Sequence, residues 1–276
     1  MRRLGLLCLS VLVLASSMAR AADINAQKPN EGEVRVVPVS PTPEGDHVRV
    51  YIVFPKEGDT KNSNPVSMEL RITGYPIGTD SDFPRKNEIF NDRAGQAVHI
   101  VIDDRPYFEI NEAFVEALDN SENYYDQSLQ FDIPFKLSPG AHTIRIFPVR
   151  SFNESLKGNG CFASGTFYFK EKGALKNIDL SAPYLTYNEP QGEYDYSPSE
   201  PVLLDFYITN CQLSRDGYKV ELAIDGKKER VLTSWIPYYL YGLKKGTHKI
   251  HLQLIDPANK PVPGAFNSVD REIVLR

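Results

Sequence analysis

The side chains with the most chemical potential in this chain are its histidines, an acidic stretch, two cysteines and an aromatic run. There are five histidines. His142 and His248 each sit in the phrase Leu-x-x-Gly-x-His-x-Ile, as Leu137, Gly140, His142, Ile144 and as Leu243, Gly246, His248, Ile250. Two such imidazoles would suit a metal, but neither has a ligand partner at short spacing. Their phase gives a different role. His142 alternates with Ile144 and Ile146, and His248 with Ile250, Leu252 and Leu254. Both rings therefore point inward from strands, with one nitrogen bonded to a backbone group of the preceding corner. His47, His99 and His251 fall in a loop or at polar strand phases and read as solvated.

Asp103, Asp104, Glu109, Glu112, Asp119, Glu122 and Asp126 crowd one stretch without the spacing of a calcium loop. A solvated acidic face is expected there. The sequence has no Gly-x-Ser-x-Gly, no His-Glu-x-x-His, no phosphate-binding glycine loop and no Cys-x-x-Cys. No cofactor or metal is expected, and the chain is not read as an enzyme. A hydrolase site in the first-half insertions is the alternative from that class.

Trp235, Tyr239 and Tyr241, with Tyr238 between them, form the densest aromatic group. Exposed rings of this kind stack on sugars or anchor protein partners. Tyr238 is expected to pack inward as Phe135 does, leaving Trp235 as the best outward candidate. Tyr124 and Tyr125, in the acidic Asp119–Asp126 stretch, are the other candidate contacts.

The elements that position these residues come as a diverged repeat. Ile133 to Ile146 matches Ile236 to Leu252, and Val98–Asp104 matches Val220–Gly226. Val48–Phe54 pairs in pattern with Val202–Ile208, with apolar residues at alternate positions in both. Gly160-Cys161-Phe162 resembles Gly264-Ala265-Phe266, each ahead of a final strand. Repeated short strands with turn signals between them describe two β-sandwiches. An up-and-down barrel is the rival. Aligned this way, the first copy carries two long insertions, near 55–97 and 104–132. The first includes the alternating Met68, Leu70 and Ile72, then a loop from Gly74 to Gly95. The second includes Phe108–Leu118, which has the spacing of a short helix. Such insertions carry function or cover a sheet edge.

The repeated phrase, followed in the second copy by Leu254-Ile255-Asp256-Pro257-Ala258-Asn259, resembles bacterial immunoglobulin-like and fibronectin type III-like repeats. The resemblance implies an all-β fold of two tandem immunoglobulin-like β-sandwich domains, at 33–170 and 177–276. It implies no particular activity, since such modules serve many unrelated proteins. His142 and His248 depart from it, because an aromatic residue is usual at that corner.

Residues 1–21 read as a secretory signal: Arg2 and Arg3, an apolar Leu4–Ala15, and Ala19-Arg20-Ala21 at the cleavage site. The apolar run is too short for a membrane span. The whole chain has net charge −5, and loss of the signal's three arginines makes it more acidic. This balance argues against nucleic acid and anionic membranes as partners. The expectation is an exported module, periplasmic or secreted, that meets an envelope protein or glycan. A carbohydrate-binding accessory using the Trp235 cluster is the runner-up. Cys161 and Cys211 invite a disulfide in an exported chain. An end-to-end tandem would hold them beyond the ~7 Å Cα limit for a bridge. A bridge would therefore report a side-by-side arrangement.

Overall fold

The computed structural model describes residues 33–43, 47–112, 126–173 and 178–276. The proposed signal segment, Tyr124, Tyr125 and part of the 170–177 connection lie outside them. Seventeen strands carry the described fold, in chain order. The first nine are β1 (Arg35–Pro38), β2 (Arg49–Phe54), β3 (Thr60–Lys61), β4 (Ser67–Thr73), β5 (Ala97–Ile102), β6 (Phe108–Ile110), β7 (Asp126–Asp132), β8 (Gly140–Val149) and β9 (Ala163–Phe169). The rest are β10 (Tyr184–Glu189), β11 (Gly192–Tyr194), β12 (Val202–Thr209), β13 (Lys219–Ile224), β14 (Lys227–Leu232), β15 (Tyr238–Tyr241), β16 (Gly246–Ile255) and β17 (Ser268–Leu275). A single 3-10 turn, Pro84–Asn87, is the one helical element among them.

These strands form four sheets. In the N-terminal pair, β2-β4-β7 faces β3-β9-β8-β5-β6; in the C-terminal pair, β1-β15-β12-β10 faces β11-β17-β16-β13-β14. Each pair encloses its own apolar core. Val50, Leu70, Ile100, Leu129, Ile144 and Phe167 meet in the first, and Leu185, Phe206, Leu222, Leu240, Ile250 and Ile273 in the second. The expected core positions on β2, β5, β8, β12, β13 and β16 are buried, with Ile52 packed at the margin. The all-β, immunoglobulin-like sandwich architecture follows from these sheets and cores.

The repeat is stricter in topology than in sequence. Every strand from β2 to β9 has a counterpart eight strands later. β5 lies between β6 and β8 as β13 lies between β14 and β16, and β3 joins β9 in parallel as β11 joins β17. This corrects the sequence alignment. β2 corresponds to β10, and β12 corresponds to β4, the strand that holds Met68, Leu70 and Ile72. The first part of the 55–97 insertion, through Thr73, is therefore regular sandwich. What is added is the segment between Thr73 and Ala97, which is longer than its counterpart between Thr209 and Lys219. The 104–132 insertion likewise contains β6 and β7, counterparts of β14 and β15. Phe108–Ile110, expected to begin a helix, is strand, paired with Ile100 to Val98.

β1 does not join the sheets that follow it in sequence. It pairs antiparallel with β15, from Arg35 opposite Tyr241 to Pro38 opposite Tyr238, and Val36 enters the C-terminal core. It thus ties the two pairs together from the start of the described chain.

The paired corner histidines are built alike. Asp103 and Asp225 close the turns after β5 and β13 with φ of 56° and 52°, a conformation that aspartate tolerates better than most residues. Each carboxylate accepts the amide of the neighbouring strand, Thr143 at 2.9 Å and Lys249 at 2.8 Å. The other oxygen of each meets the histidine Nδ1 at 2.7 Å, while Nε2 meets the Ser138 or Lys244 carbonyl at 2.7 Å. The backbone contact was expected, and the aspartate partner is additional.

Both atoms that face His142 are acceptors, so the ring that satisfies them is the imidazolium. Burial lowers its pKa, but the Asp103 and Ser138 contacts outweigh this and raise it above the ordinary value. A raised pKa stabilises the fold below the unfolded value of ~6.5, and that stabilisation is lost as pH rises through the folded value. His142→Gln should therefore cost about 1–3 kcal/mol in mildly acidic buffer and less in alkaline buffer. Urea unfolding of both chains across that range checks this, and a cost that grows with pH would contradict it.

Candidate functional site

The two sheet pairs pack side by side. Along β5 all six residues are buried, and along β8 every residue from His142 onward is buried. Strands covered on one face alternate, whereas strands covered on both do not. Val98, Ile100 and Ile102 fill the N-terminal core, while Ala97 and Val101 join Phe147 and Val149 against Tyr207 of β12. Phe162, Tyr107 and Trp235 complete this junction. The end-to-end arrangement favoured by the sequence is thus replaced by a face-to-face one. Even so, Cys161 and Cys211 are not bridged to each other. Cys161 is buried in the N-terminal core, and Cys211 packs at the margin of the C-terminal one, where burial raises its pKa to about 11.

Polar side chains cross the junction as a connected chain. His99, expected at the surface, is fully buried because the C-terminal pair covers the outer face of β5. It stacks on Tyr107 with ring centres 3.6 Å apart, and its Nδ1 donates to Asn188 Oδ1 at 2.7 Å. Asn188 Nδ2 donates to Asp205 Oδ2 at 2.8 Å and to the Asn153 carbonyl at 2.7 Å. Asp205 also accepts from the Ser155 amide and hydroxyl and from Lys157 Nζ at 2.6 Å. The Ser155 hydroxyl thus donates to a carboxylate.

Arg145 leaves β8 in the same direction and is fully buried. It donates to Thr186 Oγ1 at 3.0 Å and to the carbonyls of Leu185 and Asp103, with its guanidinium 3.7 Å from the Phe266 ring centre. Burial brings its pKa down to about 9.

The added segment between β4 and β5 reaches the C-terminal pair. Arg85 donates to Glu154, to the Ser40 carbonyl and to Tyr239 Oη at 3.1 Å, and Tyr239 Oη donates to Glu88 Oε2 at 2.7 Å. Ile89 packs with Phe152, Leu203 and Tyr239. The segment returns through Gly95, φ 87°, where a Cβ would come within 2.6 Å of the Gly78 backbone. Glycine is required for that close approach. Phe90, at the tip, remains 54% exposed and is one of two large exposed hydrophobic side chains among the described residues, with Tyr51.

Phe90 stands at the mouth of a cleft of about 160 Å³ that crosses the junction. Its N-terminal wall includes Ile89, Phe90 and Phe152. Its other wall is Tyr194 to Leu203, with Leu240, Leu243 and Leu275 below. Phe90 and Tyr194 meet edge to face at 6.3 Å. At the floor, Glu189 accepts the hydroxyls of Tyr107 and Tyr194 and the Gln191 amide. Burial raises the Glu189 pKa against the opposing effect of those donors, and burial beside its charge holds both tyrosines protonated well above their usual range. The cleft can hold a ligand between aromatic walls and carboxylates. Among the described residues no group of His, Cys, Asp and Glu is arranged to hold a metal ion, and no helix is long and apolar enough to cross a membrane.

The aromatic residues singled out in the sequence are elsewhere and mostly occupied. Trp235 is partly buried, its Nε1 donating to the Phe206 carbonyl at 2.8 Å and its ring edge-on to Tyr207. Tyr239 is buried under the added segment, and Tyr241 lies beneath the Arg35 guanidinium. Tyr238 packs inward as expected. The Trp235, Tyr239 and Tyr241 side chains thus serve the junction rather than an outward stacking face. Phe90, Tyr194 and Tyr196 were missed. The available signal was a lone Phe in a polar loop and a Tyr-rich, Pro-rich stretch after β10.

The fold and its junction define a β-sandwich module with a cleft between two sheet pairs. The sequence matches no family model and no curated protein. Among solved structures it is similar to the fibronectin(III)-like modules of CbhA from Clostridium thermocellum, with 12% identity, TM-score 0.28, and 82% of this chain and 94% of that one covered. It is also similar to dimeric latent PorU from Porphyromonas gingivalis, with 14% identity, TM-score 0.27, and 83% and 20% covered. A third is the Bacteroides ovatus SGBP-B in complex with a mixed-linkage heptasaccharide, with 15% identity, TM-score 0.18, and 88% and 47% covered. At such values the fold assignment rests on the sheets and cores above, which agree with the fibronectin type III-like and immunoglobulin-like class.

Proposed function

We propose that this chain is an exported, non-enzymatic binding module of the bacterial cell envelope, periplasmic or secreted, and that the cleft between its sheet pairs holds an envelope protein or glycan partner. The observation that carries the reading is Phe90. An added segment, fastened by Arg85 and Ile89, holds a large apolar ring in solvent at the mouth of a cleft. Exposing such a ring has no benefit for folding, while rigid loops on a sandwich scaffold are where partners are met. The secretory pattern of residues 1–21 supports export. The occupied positions of Tyr239 and Trp235 move the partner site away from the cluster that a carbohydrate-binding accessory would have used.

The test compares partners captured from envelope extract by the full chain, by Phe90→Ser and by Tyr51→Ser. Both substitutions remove an exposed ring and should leave the fold intact. A partner whose capture falls about tenfold or more with Phe90→Ser, and not with Tyr51→Ser, is the expected result. The same set captured by all three would overturn the reading. Fusing residues 1–21 to a reporter enzyme tests export separately, with retention in the cytoplasm as the contrary outcome.

A further inference from the structure

We infer that the cleft receives the guanidinium of an arginine side chain presented by a protein partner. This rests on the cleft being the partner site and goes on to name what enters it.

Size comes first. At about 160 Å³ the cleft is smaller than the ~300–1,000 Å³ of pockets that bury a whole small molecule. It matches one side chain inserted from a larger surface. Charge comes second. The charged residues of the lining are Glu189, Asp195 and Glu200, all acidic, and no described lining residue is basic. Asp195 and Glu200 are exposed at the rim, free of any hydrogen bond from a basic side chain among the described contacts. The chain as a whole is acidic, which steers a basic partner toward it. The walls come third. Phe90, Tyr194 and Tyr196 supply rings on which a flat, weakly hydrated cation can lie, and guanidinium suits such faces better than ammonium does. Arginine is also among the residues that dominate protein interfaces when seated in such a pocket. An oligosaccharide would want a longer platform than these three rings provide.

The probe is a set of capped, glycine-flanked heptapeptide pools that differ only at the central residue: arginine, citrulline or leucine. Citrulline keeps the shape of arginine without its charge. Each pool is passed over the immobilised full chain, with chitin oligosaccharides as a glycan arm. Retention of the arginine pool about tenfold or more above the citrulline pool is expected. That ratio should fall toward one in the Asp195→Asn/Glu200→Gln double variant, whose exposed positions leave folding unaffected, and in high salt. Equal retention of citrulline or leucine, or retention of none of the pools, overturns the inference. Oligosaccharide retention that Phe90→Ser abolishes also overturns it, while leaving the cleft as the partner site. Envelope capture unchanged by Phe90→Ser would instead overturn the cleft reading itself.

Discussion

Asp205→Ala should destabilise the protein by about 3–5 kcal/mol, the cost of breaking a buried ion pair from one side. The Asp205 side chain is fully buried and Lys157, its partner at 2.6 Å, is nearly so. The substitution removes the acceptor of four groups at once: the Lys157 ammonium, the Asn188 amide, and the Ser155 amide and hydroxyl. The ammonium keeps the Ser155 carbonyl at 3.2 Å and hydroxyl at 2.9 Å but loses its only carboxylate among the described ion pairs, the costliest of the four losses. The loss should therefore be recoverable in part by removing the cation. In the Asp205→Ala/Lys157→Met double variant the remaining cost should be clearly smaller than in Asp205→Ala alone. Equilibrium unfolding in urea of the four chains of the cycle measures this. Equal stability of the single and double variants would show that the pair carries no coupling.

This network also marks the limit of what was legible in the sequence. Strand positions and core faces were readable, because Val48, Ile100, Ile144, Leu222 and Ile250 alternate with neighbours of other character or run in apolar stretches. The turn phrase around His142 and His248 gave the repeat. The register of the repeat was not readable. β2 and β12 share an apolar alternation, so they matched each other although each belongs with another strand. The true counterpart of β2 is β10, Tyr-Leu-Thr-Tyr-Asn-Glu, whose Thr186 and Asn188 look like solvated positions. They are buried because the N-terminal pair covers that face. His99 was misjudged for the same reason. Period-2 reasoning assigns polar residues to solvent, and a polar contact between two packed sandwiches is invisible to it. The Tyr-rich run at 238–241 was misread in the opposite sense. Its outward residues do leave the C-terminal core, but Tyr239 is buried against the added segment and the half-buried Tyr241 lies under Arg35 of β1. The one continuous clue was the absence of alternation in Ala-Val-His-Ile-Val-Ile of β5, the mark of a strand covered twice.

Tyr207→Ala should cost about 3–5 kcal/mol, in the range of large aromatic truncations in a core, and should do so by uncoupling the two sheet pairs. Tyr207 is the C-terminal residue fully buried in the junction cluster. Its ring lies 4.7 Å from Phe162, 5.3 Å from Phe147 and 5.0 Å from Trp235, measured between centres. Its hydroxyl donates to the Leu156 carbonyl, with the Cys161 carbonyl at 3.3 Å. Alanine leaves a cavity whose walls belong to different sheet pairs, so the cores on either side lose a shared wall while each keeps its own packing. The chain should then unfold in two separable transitions where the unchanged protein unfolds in one. Tyr207→Phe keeps the ring and strands only the carbonyls, so it should cost about 1–2 kcal/mol and preserve the single transition. Calorimetry of the three chains distinguishes these outcomes. If Tyr207→Ala lowers the midpoint of a still single transition, the pairs are coupled mainly through β1 and the added segment. If it leaves the midpoint unchanged, the junction contributes nothing to stability. A cleft that crosses the junction is sensitive to how the two pairs sit together, because Phe90 and Phe152 come from one and Tyr194 to Leu203 from the other. Partner capture should therefore fall in Tyr207→Ala even at temperatures where both cores remain folded, and a partner seated in the cleft should draw the two transitions back toward one.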